Sequence, residues 1–343
     1  MKIRTNFTGP GKDQAPLAHI SLRIAAHSAP LKTAFTISRG SKMCAETVRV
    51  EITAGEHAGR GESVPYARYG ESVASVIDQI EAVRGEIELG AGRAELKLLL
   101  PAGAARCAVD CALWELEARQ AGRSVWQLAG LGEPGPVETA QTVTLAPPAE
   151  MARLAAAVPG RLLKLKLGGP GDMERVAAVH GARPEARLIL DGNEAISPAD
   201  LDALARQAAG LGVVLIEQPL PAGKDDTLRR GRFAVPVCAD ESAHTASDIP
   251  ALSARYDGVN VKLDKAGGLT GGLEMLQAAR AAGLVTMVGC MVAGSLSLAP
   301  AVIAAQGCDF ADLDGPAWLA GDVPHALVFE DGNVLPPDPR LWG

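Results

Sequence analysis

Aromatic side chains are scarce in this 343-residue chain, where four Trp, three Tyr and five Phe amount to 3%. So few rings leave little with which to stack nucleobases, and a nucleic-acid partner is not expected. Blocks of one charge are missing as well. The 33 basic and 40 acidic residues are interspersed, and the net charge of -7 points to no polyanion partner. The six cysteines, Cys44, Cys107, Cys111, Cys238, Cys290 and Cys308, form no CxxC pair and no zinc-type spacing. They read as free thiols of a reducing cytoplasm. The N-terminal "MKIRTNFTGPGKDQAPL" lacks the apolar core of a secretion signal, so residues 1–17 read as a disordered lead-in. Charge is absent from Ala281 to Cys308, which mimics a membrane span. Gly289, Gly294, Ser295, Ser297, Pro300 and Gly307 interrupt it, and the stretch reads instead as a buried strand, loop and short helix, with no membrane partner.

What is present suits a sizeable core. Apolar residues make up 48% and charged residues 21%, ordinary for a globular protein, and the length fits a barrel plus a smaller domain. Residues 1–135 read as α+β. "HISLRIAA" and "TVRVEITAG" alternate like strands, and "GEHAGRGES" offers turn chemistry before the next element. Ser72 caps a helix with Val73, Val76, Ile77 and Ile80 at helical spacing. In a second helix Cys107, Cys111 and Trp114 share a core face, and Gly122 ends it. "GLGEPGPVE" (130–138) marks a boundary.

From Thr139 a unit repeats: a short apolar strand, a loop with polar residues, then a helical stretch. Eight such strands, "TAQTVTL", "LLKLKL", "ARLILD", "VVLIEQ", "VPVCADE", "GVNVKL", "LVTMVGC" and "DFADLDG", predict a parallel sheet closed into a barrel over 136–318. The last unit lacks a full helix. "VPHALVFEDGNVLPP" reads as strand, Asp-Gly-Asn turn and strand, so 319–343 is expected to return to the N-terminal domain.

Polar residues occupy one place in these repeats, the end of the strand. Lys166, Asp191, Glu217, Asp240 and Lys262 recur every 22 to 26 residues, one per repeat. Strand ends of such a barrel converge on one mouth, so groups remote in sequence meet there. Alternation in "RLLKLKLGG" puts Leu163, Leu165 and Leu167 on one face and Lys164 and Lys166 on the other. On an isolated strand the lysines would face solvent. In a sheet covered on both faces they point into the barrel, where they need opposite charge. Asp191, Glu217 and Asp240 supply it, and as an all-oxygen set they suit Mg²⁺ or Mn²⁺ better than zinc. Singly each could be an ion-pair partner or helix cap; their joint spacing favours a site. Lys262 points inward with Asn260, ahead of "AGGLTGG", which lacks the P-loop pattern; Asp264 and Lys265 read as loop residues and Lys265 as solvated. Lysines on strands two and six face each other across the mouth, a geometry for removing a proton from one face of a carbon and returning it to the other.

Taken together and in this order, "KLKLGG", "LDGNE", "IEQPLP", "CADES" and "VNVKLDKAGGLTGG" resemble the enolase superfamily and its muconate-lactonizing subgroup. "PYARYGES", "LPAGAARCAVDCALWELEAR", "VGCM" and "FADLDGPAWLAGD" resemble the dipeptide epimerases within it. The resemblance covers nearly the whole chain. It implies an α/β fold, a modified (β/α)8 barrel of (β/α)7β type, with an N-terminal α+β capping domain completed by the C-terminal segment. It implies Mg²⁺, with Mn²⁺ as a substitute, held by Asp191, Glu217 and Asp240. Lys166 and Lys262 would be the acid/base pair and Lys164 would stabilise the substrate carboxylate. Asn193 and Glu241, beside the ligands, would orient them.

The implied reaction is epimerisation of a small dipeptide, L-Ala-D-Glu to L-Ala-L-Glu, in murein peptide recycling. Asp312 and Asp314 on the eighth strand would receive its α-ammonium group. Its distal carboxylate calls for a cation from capping loops that carry Arg39, Lys42, Arg68 and Tyr69. Lys42 stands where the family carries an arginine, which removes the bidentate fork. Cys290 and Met291 would line the pocket. The six histidines form no motif, and His244 is the one near the mouth. Alternatives are a dipeptide epimerase of other specificity, an N-acylamino acid racemase, another reaction of the subgroup, or a silent binding protein on the same barrel. Retention of both lysines and all three carboxylates argues against the last. A homo-oligomer is left open.

Overall fold

The computed structural model describes residues 19–343, and the expected lead-in over 1–17 lies outside the described residues. Three antiparallel strands open the fold, β1 (Ile20–Ile37), β2 (Gly40–Ala54) and β3 (His57–Ser63). Both expected strands lie inside longer ones. Pairing of β1 with β2 slips between Pro30 and Phe35, and beyond the slip Phe35–Lys42 forms a hairpin arm that reaches over the barrel. Proline lacks the N–H that an unbroken ladder would use there.

The "GEHAGRGES" turn is shorter than its composition suggests. Only Gly55 and Glu56 turn, and 57–63 pair as β3. Its glycines serve close approach instead: a Cβ on Gly59 would stand 2.1 Å from the Ala112 carbonyl oxygen, and one on Gly61 2.0 Å from that of Ala108. The helix Ala104–Ala121 therefore lies directly on the backbone of β3. It is buried on two sides. Val109, Ala112 and Leu116 pack with the sheet, whereas Cys107, Cys111 and Trp114 join the barrel cluster, as the sequence pattern predicts. Gly122, at φ +61°, ends it. The Val73–Ala82 helix begins with Ser72 and Ser75 capping each other reciprocally.

That long helix also explains the glycine-rich loop after the sixth barrel strand. Arg106 donates to the Ala266 and Gly267 carbonyls, and Asp110 accepts from Thr270. Any Cβ on Gly267 or Gly268 would collide with those side chains at 2.2 and 2.4 Å. The loop is a docking surface for the N-terminal domain.

A short strand β4 (Val137–Glu138) precedes the barrel. Its strands are β5 (Gln141–Val143), β6 (Leu162–Lys166), β7 (Arg187–Asp191), β8 (Val213–Glu217), β9 (Val237–Ala239), β10 (Gly258–Lys262), β11 (Val285–Gly289) and β12 (Phe310–Asp312). They pair in parallel and in chain order. The Ala140 N–H to the Ala311 carbonyl, 2.8 Å, links the first edge to the last and nearly closes the sheet. Leu162, Ile189, Leu215, Cys238 and Met287 fill the inner bottom layer, while Leu163, Leu165 and Leu167 face the helices. The charge-free stretch holds β11, a loop and the helix Ser295–Ala304. No helix among the described residues is long and apolar enough to cross a membrane. The expected final hairpin is β13 (Phe329–Glu330) and β14 (Asn333–Val334), which pairs with β4. The segment meets the N-terminal domain on both sides of this hairpin: before it, the Ala320 N–H donates to the Pro30 carbonyl at 2.9 Å, and after it the Trp342 indole N–H donates to the Arg60 carbonyl at 2.9 Å.

Replacing Gly61 with Ala drives a methyl into the helix backbone and is expected to destabilise the protein by about 2 kcal/mol or more in urea titrations. Gly132→Ala, where a Cβ meets nothing within 4 Å, should stay within about 0.5 kcal/mol of the parent.

Candidate active site

Strand register assembles the polar residues. Lys166, Asp191 and Glu217 end β6, β7 and β8 and stand side by side, and Lys262, Gly289 and Asp312 do the same on β10, β11 and β12. Asp240 follows β9, its N–H held by the Gln218 side-chain oxygen at 2.8 Å. Lys164 lies one layer deeper and 1% exposed. Its ammonium is 2.7 Å from Glu217, 2.7 Å from Asp312 and 3.1 Å from Asp191. Lys166 pairs with Asp191 at 2.6 Å and Lys262 with Asp240 at 2.7 Å.

Burial opposes every one of these charges, and pairing decides which survive. Against burial, Asp191, Asp312 and Glu217 hold the Lys164 ammonium well above its ordinary pKa, and Asp240 does the same for Lys262. Asp191 is held low against burial by Lys164 and Lys166, and Asp240 by Lys262 and Lys265. Glu217 differs. Burial, reinforced by the Asp191 charge, pushes it up to about 8.

A cavity of about 520 Å³ lies between this mouth and the capping loops. Lys164, Lys166 and Lys262 line it from the barrel, with Asp312, Asp314, Cys290 and Met291 at the seventh and eighth strands. One oxygen of Asp312 is buried without a partner. Asp314 accepts from the Thr142 N–H at 2.7 Å, and burial with the Asp312 charge raises it to about 6. Arg39, Lys42, Arg68 and Tyr69 line it from the capping domain, with unequal freedom. Arg39 is held by Glu194 and Glu241, and Arg68 by Glu194. Among the described residues Lys42 has no ion pair, and burial together with Lys166 and Lys262 lowers its pKa.

The Asn193 N–H donates to Asp191 at 3.0 Å, so its backbone rather than its amide touches the carboxylate. Glu241 bonds Arg39 instead of a neighbouring acid. His244 packs edge-on against Tyr69 with ring centroids 4.7 Å apart.

Two residues escape sequence reasoning. Lys265 is 3% exposed and pairs with Asp240 at 2.6 Å, because β10 runs straight into a helical turn, Leu263–Ala266, that carries position 265 back to the mouth. Its three-residue spacing from Lys262 was the available signal. Phe35 has its ring 5.7 Å from the Lys166 ammonium and 6.0 Å from that of Lys42, and nothing in its strand marks it out.

Asp191, Glu217 and Asp240 are hard oxygen donors on three consecutive strands, the chemistry that Mg²⁺ prefers. Among the described residues no three metal-binding side chains form a ready-made cluster, since Lys164 lies between Asp191 and Glu217. The donors fit the ion in type and charge. Burial first and the Asp191 charge second raise Glu217, and a divalent cation among these carboxylates would relieve that repulsion.

Comparison with known proteins agrees with this architecture. Residues 148–340 match the enolase C-terminal domain-like family, and residues 19–130 match the N-terminal domain of the mandelate racemase/muconate lactonizing enzymes. The chain is 46% identical over 308 residues to L-Ala-D/L-Glu epimerase of Escherichia coli K12, covering 89% of this chain and 96% of that one. It is 40% identical over 301 residues to N-acetyl-D-glutamate racemase of a Pseudoalteromonas species, with 86% and 94% covered. Among solved structures it resembles an enolase family member from Agrobacterium tumefaciens with homology to dipeptide epimerases, with bound sodium, L-Ala-L-Glu and an ordered loop. That match has a TM-score of 0.92 and 46% identity, and covers 94% of this chain and all of that one.

Asp264 lies beside this site and accepts from the Val64 N–H at 2.8 Å, and burial raises it to about 7. A carboxyl raised in the folded state contributes stability that is complete below its ordinary range and lost as pH rises through about 7. Asp264→Asn should therefore gain on the parent protein between pH 4 and 7, by at most ~1.4 kcal/mol per pH unit. Urea titrations across that range measure it, and parallel curves would refute it.

Proposed function

The chain belongs to the mandelate racemase/muconate lactonizing enzyme family of enolase-like proteins, and from that premise we propose that it is a Mg²⁺-dependent dipeptide epimerase that interconverts L-Ala-D-Glu and L-Ala-L-Glu. Such an isomerase would serve the recycling of murein peptides. The observation that carries the reading is the pair of ammonium groups of Lys166 and Lys262. They end the second and sixth strands of an eight-stranded sheet, half a turn apart, and line one cavity.

The α-proton of a carboxylate-bearing carbon is very weakly acidic, and its removal leaves an enediolate dianion. One lysine, neutral at that moment, takes the proton and becomes an ammonium; the opposed lysine, already an ammonium, delivers its proton to the other face. The Lys164 ammonium holds the growing charge on the substrate carboxylate in a buried setting where it counts most. Mg²⁺ held by Asp191, Glu217 and Asp240 would supply the remaining positive charge there. Asp312 and Asp314 bind the dipeptide's α-ammonium, which gives the unpartnered Asp312 oxygen a donor. Lys42, without an ion-pair partner among the described residues, receives the γ-carboxylate of Glu.

A second reading, racemisation of N-acetylglutamate, is favoured by the 40% identical relative. It shares the acidic residue at the reacting carbon but presents an uncharged amide to Asp312 and Asp314, which leaves those carboxylates poorly matched.

Proton NMR in D₂O with Mg²⁺ separates the two. L-Ala-L-Glu should lose its Glu α-proton signal and yield the other diastereomer, with N-acetylglutamate exchanging far more slowly. Lys166→Ala and Lys262→Ala should each abolish inversion. The reverse substrate preference would establish the racemase, and exchange of neither would overturn both readings. Lys42→Ala should raise KM for L-Ala-L-Glu at least about tenfold, the worth of one hydrogen bond to a charged group, and much less for L-Ala-L-Ala.

A further inference from the structure

Arg39 sits in the two-residue turn at the tip of the β1–β2 hairpin, and Arg68 in the helical turn Ala67–Tyr69 after β3. Both converge on one carboxylate. Arg68 grips Glu194 through two bonds of 3.0 and 2.8 Å, and Arg39 reaches it at 3.1 Å. The Ala222 N–H, from the loop after β8, adds a fourth donor at 2.8 Å. Arg39 turns its other nitrogen to Glu241 at 2.8 Å and donates also to the Asn193 carbonyl at 2.9 Å.

Surface ion pairs of this kind are commonly incidental. Three features set this one apart. Its carboxylates are shielded, Glu241 buried at 2% side-chain exposure and Glu194 half-buried and covered by the arginines to 9%, so removing the arginines would leave unpaired charge. Asn193 and Glu194 both adopt left-handed backbone, φ +40° and +67°, which non-glycine residues avoid unless the surroundings hold them there. The elements joined are the functional ones: the hairpin arm carries Phe35 and Lys42, the helical turn carries Tyr69, and Glu194 and Glu241 follow Asp191 and Asp240.

We propose that Glu194 is the shared anchor through which Arg39 and Arg68 hold both capping loops over the cavity, so that these three are positioning residues and Arg39 is not a substrate ligand. Opening either loop costs an ion pair with a shielded carboxylate. Closing both completes a neutral circuit of two arginines and two glutamates. The anchor sets where Lys42 and Tyr69 stand before substrate arrives. The inference rests on the epimerase reading only for its kinetic arm.

Hydrogen exchange of the full chain with Mg²⁺, followed by mass spectrometry over residues 33–45 and 64–72, tests it. Glu194→Gln should speed exchange in both segments at least tenfold, although neither contains residue 194. Arg39→Gln should loosen the first and Arg68→Gln the second, and the partly exposed Arg68 keeps the test open should the Glu194 variant fail to fold. Under the epimerase reading Glu194→Gln should also raise KM for L-Ala-L-Glu more than it lowers kcat. Unchanged exchange in Glu194→Gln, or a change in one segment alone, overturns the anchor. Without epimerase activity the exchange result still decides.

Discussion

Ammonium groups buried against carboxylates at the barrel mouth are the constraint to which the rest of this structure answers. Lys164, Lys166, Lys262 and Lys265 are each less than a tenth exposed, and so are Asp191, Glu217, Asp240 and Asp312. A charge of either sign left alone there would neutralise itself or unfold its surroundings. Opposite charge reaches them in two ways: Lys166 meets Asp191 and Lys262 meets Asp240 from adjacent strands, and Lys164, one layer deeper, reaches Glu217 and Asp312 across the barrel. The parallel register, which sets Lys166 beside Asp191, is thus an electrostatic arrangement as much as a hydrogen-bonded one, and the like charges it sets side by side, Asp191 and Glu217, share the Lys164 ammonium.

That arrangement needs cover. A bare barrel mouth would hydrate these pairs and weaken them, since an interaction of a given length is stronger in a less polar medium. The capping domain supplies the cover, and its own packing fixes where it sits. Gly59 and Gly61 let the Ala104–Ala121 helix press on β3, and Gly267 and Gly268 let Arg106 and Asp110 of that helix press on the loop after β10. The chain from capping sheet to Lys262 is therefore rigid contact throughout. Among the described residues the hairpin arm and the Ala67–Tyr69 turn reach the mouth as extensions; ion pairs hold both, and on the arm Thr36 also bonds Thr144 and Leu145 and Phe35 packs edge-on against Trp318.

How much of this was legible in the sequence follows from what a strand repeat encodes. Period-two alternation and a 22-to-26-residue recurrence carry position within the barrel, so Lys164, Lys166, Asp191, Glu217, Asp240 and Lys262 could be placed at one mouth from the chain alone. Capping-loop side chains follow no period. Arg39, Lys42 and Arg68 are alike on paper as exposed cations, and their partners Glu194 and Glu241 lie more than a hundred residues away. Which arginine is occupied and which cation is free depends on three-dimensional pairing. Lys265 was hidden for a nearer reason, since a loop residue became buried when a helical turn began at the strand end. The turn in "GEHAGRGES" is shorter than its composition suggests because glycine reads alike whether it bends the backbone or admits a neighbouring helix.

The pairing leaves one charge over, and it bears on specificity. Arg39 and Arg68 are matched by Glu194 and Glu241, and the floor lysines by the strand-end acids. Among the described residues Lys42 is matched by no carboxylate, and burial with Lys166 and Lys262 lowers its pKa. A substrate with an apolar second residue would close the cavity over that ammonium and deepen the penalty. On the proposed epimerase reading a substrate with a side-chain carboxylate would cancel it, and its second carboxylate would answer to Lys164. On that reading the position would select for acidic residues by relieving a cost already present in the protein. A lysine's compact charge meets a carboxylate without the two-pronged geometry of arginine, so it fixes the ligand's charge more firmly than its length. Discrimination among acidic residues would then fall to the walls of the cavity, and the proposed loop anchor, by setting their separation, would become part of how this site reads its substrate.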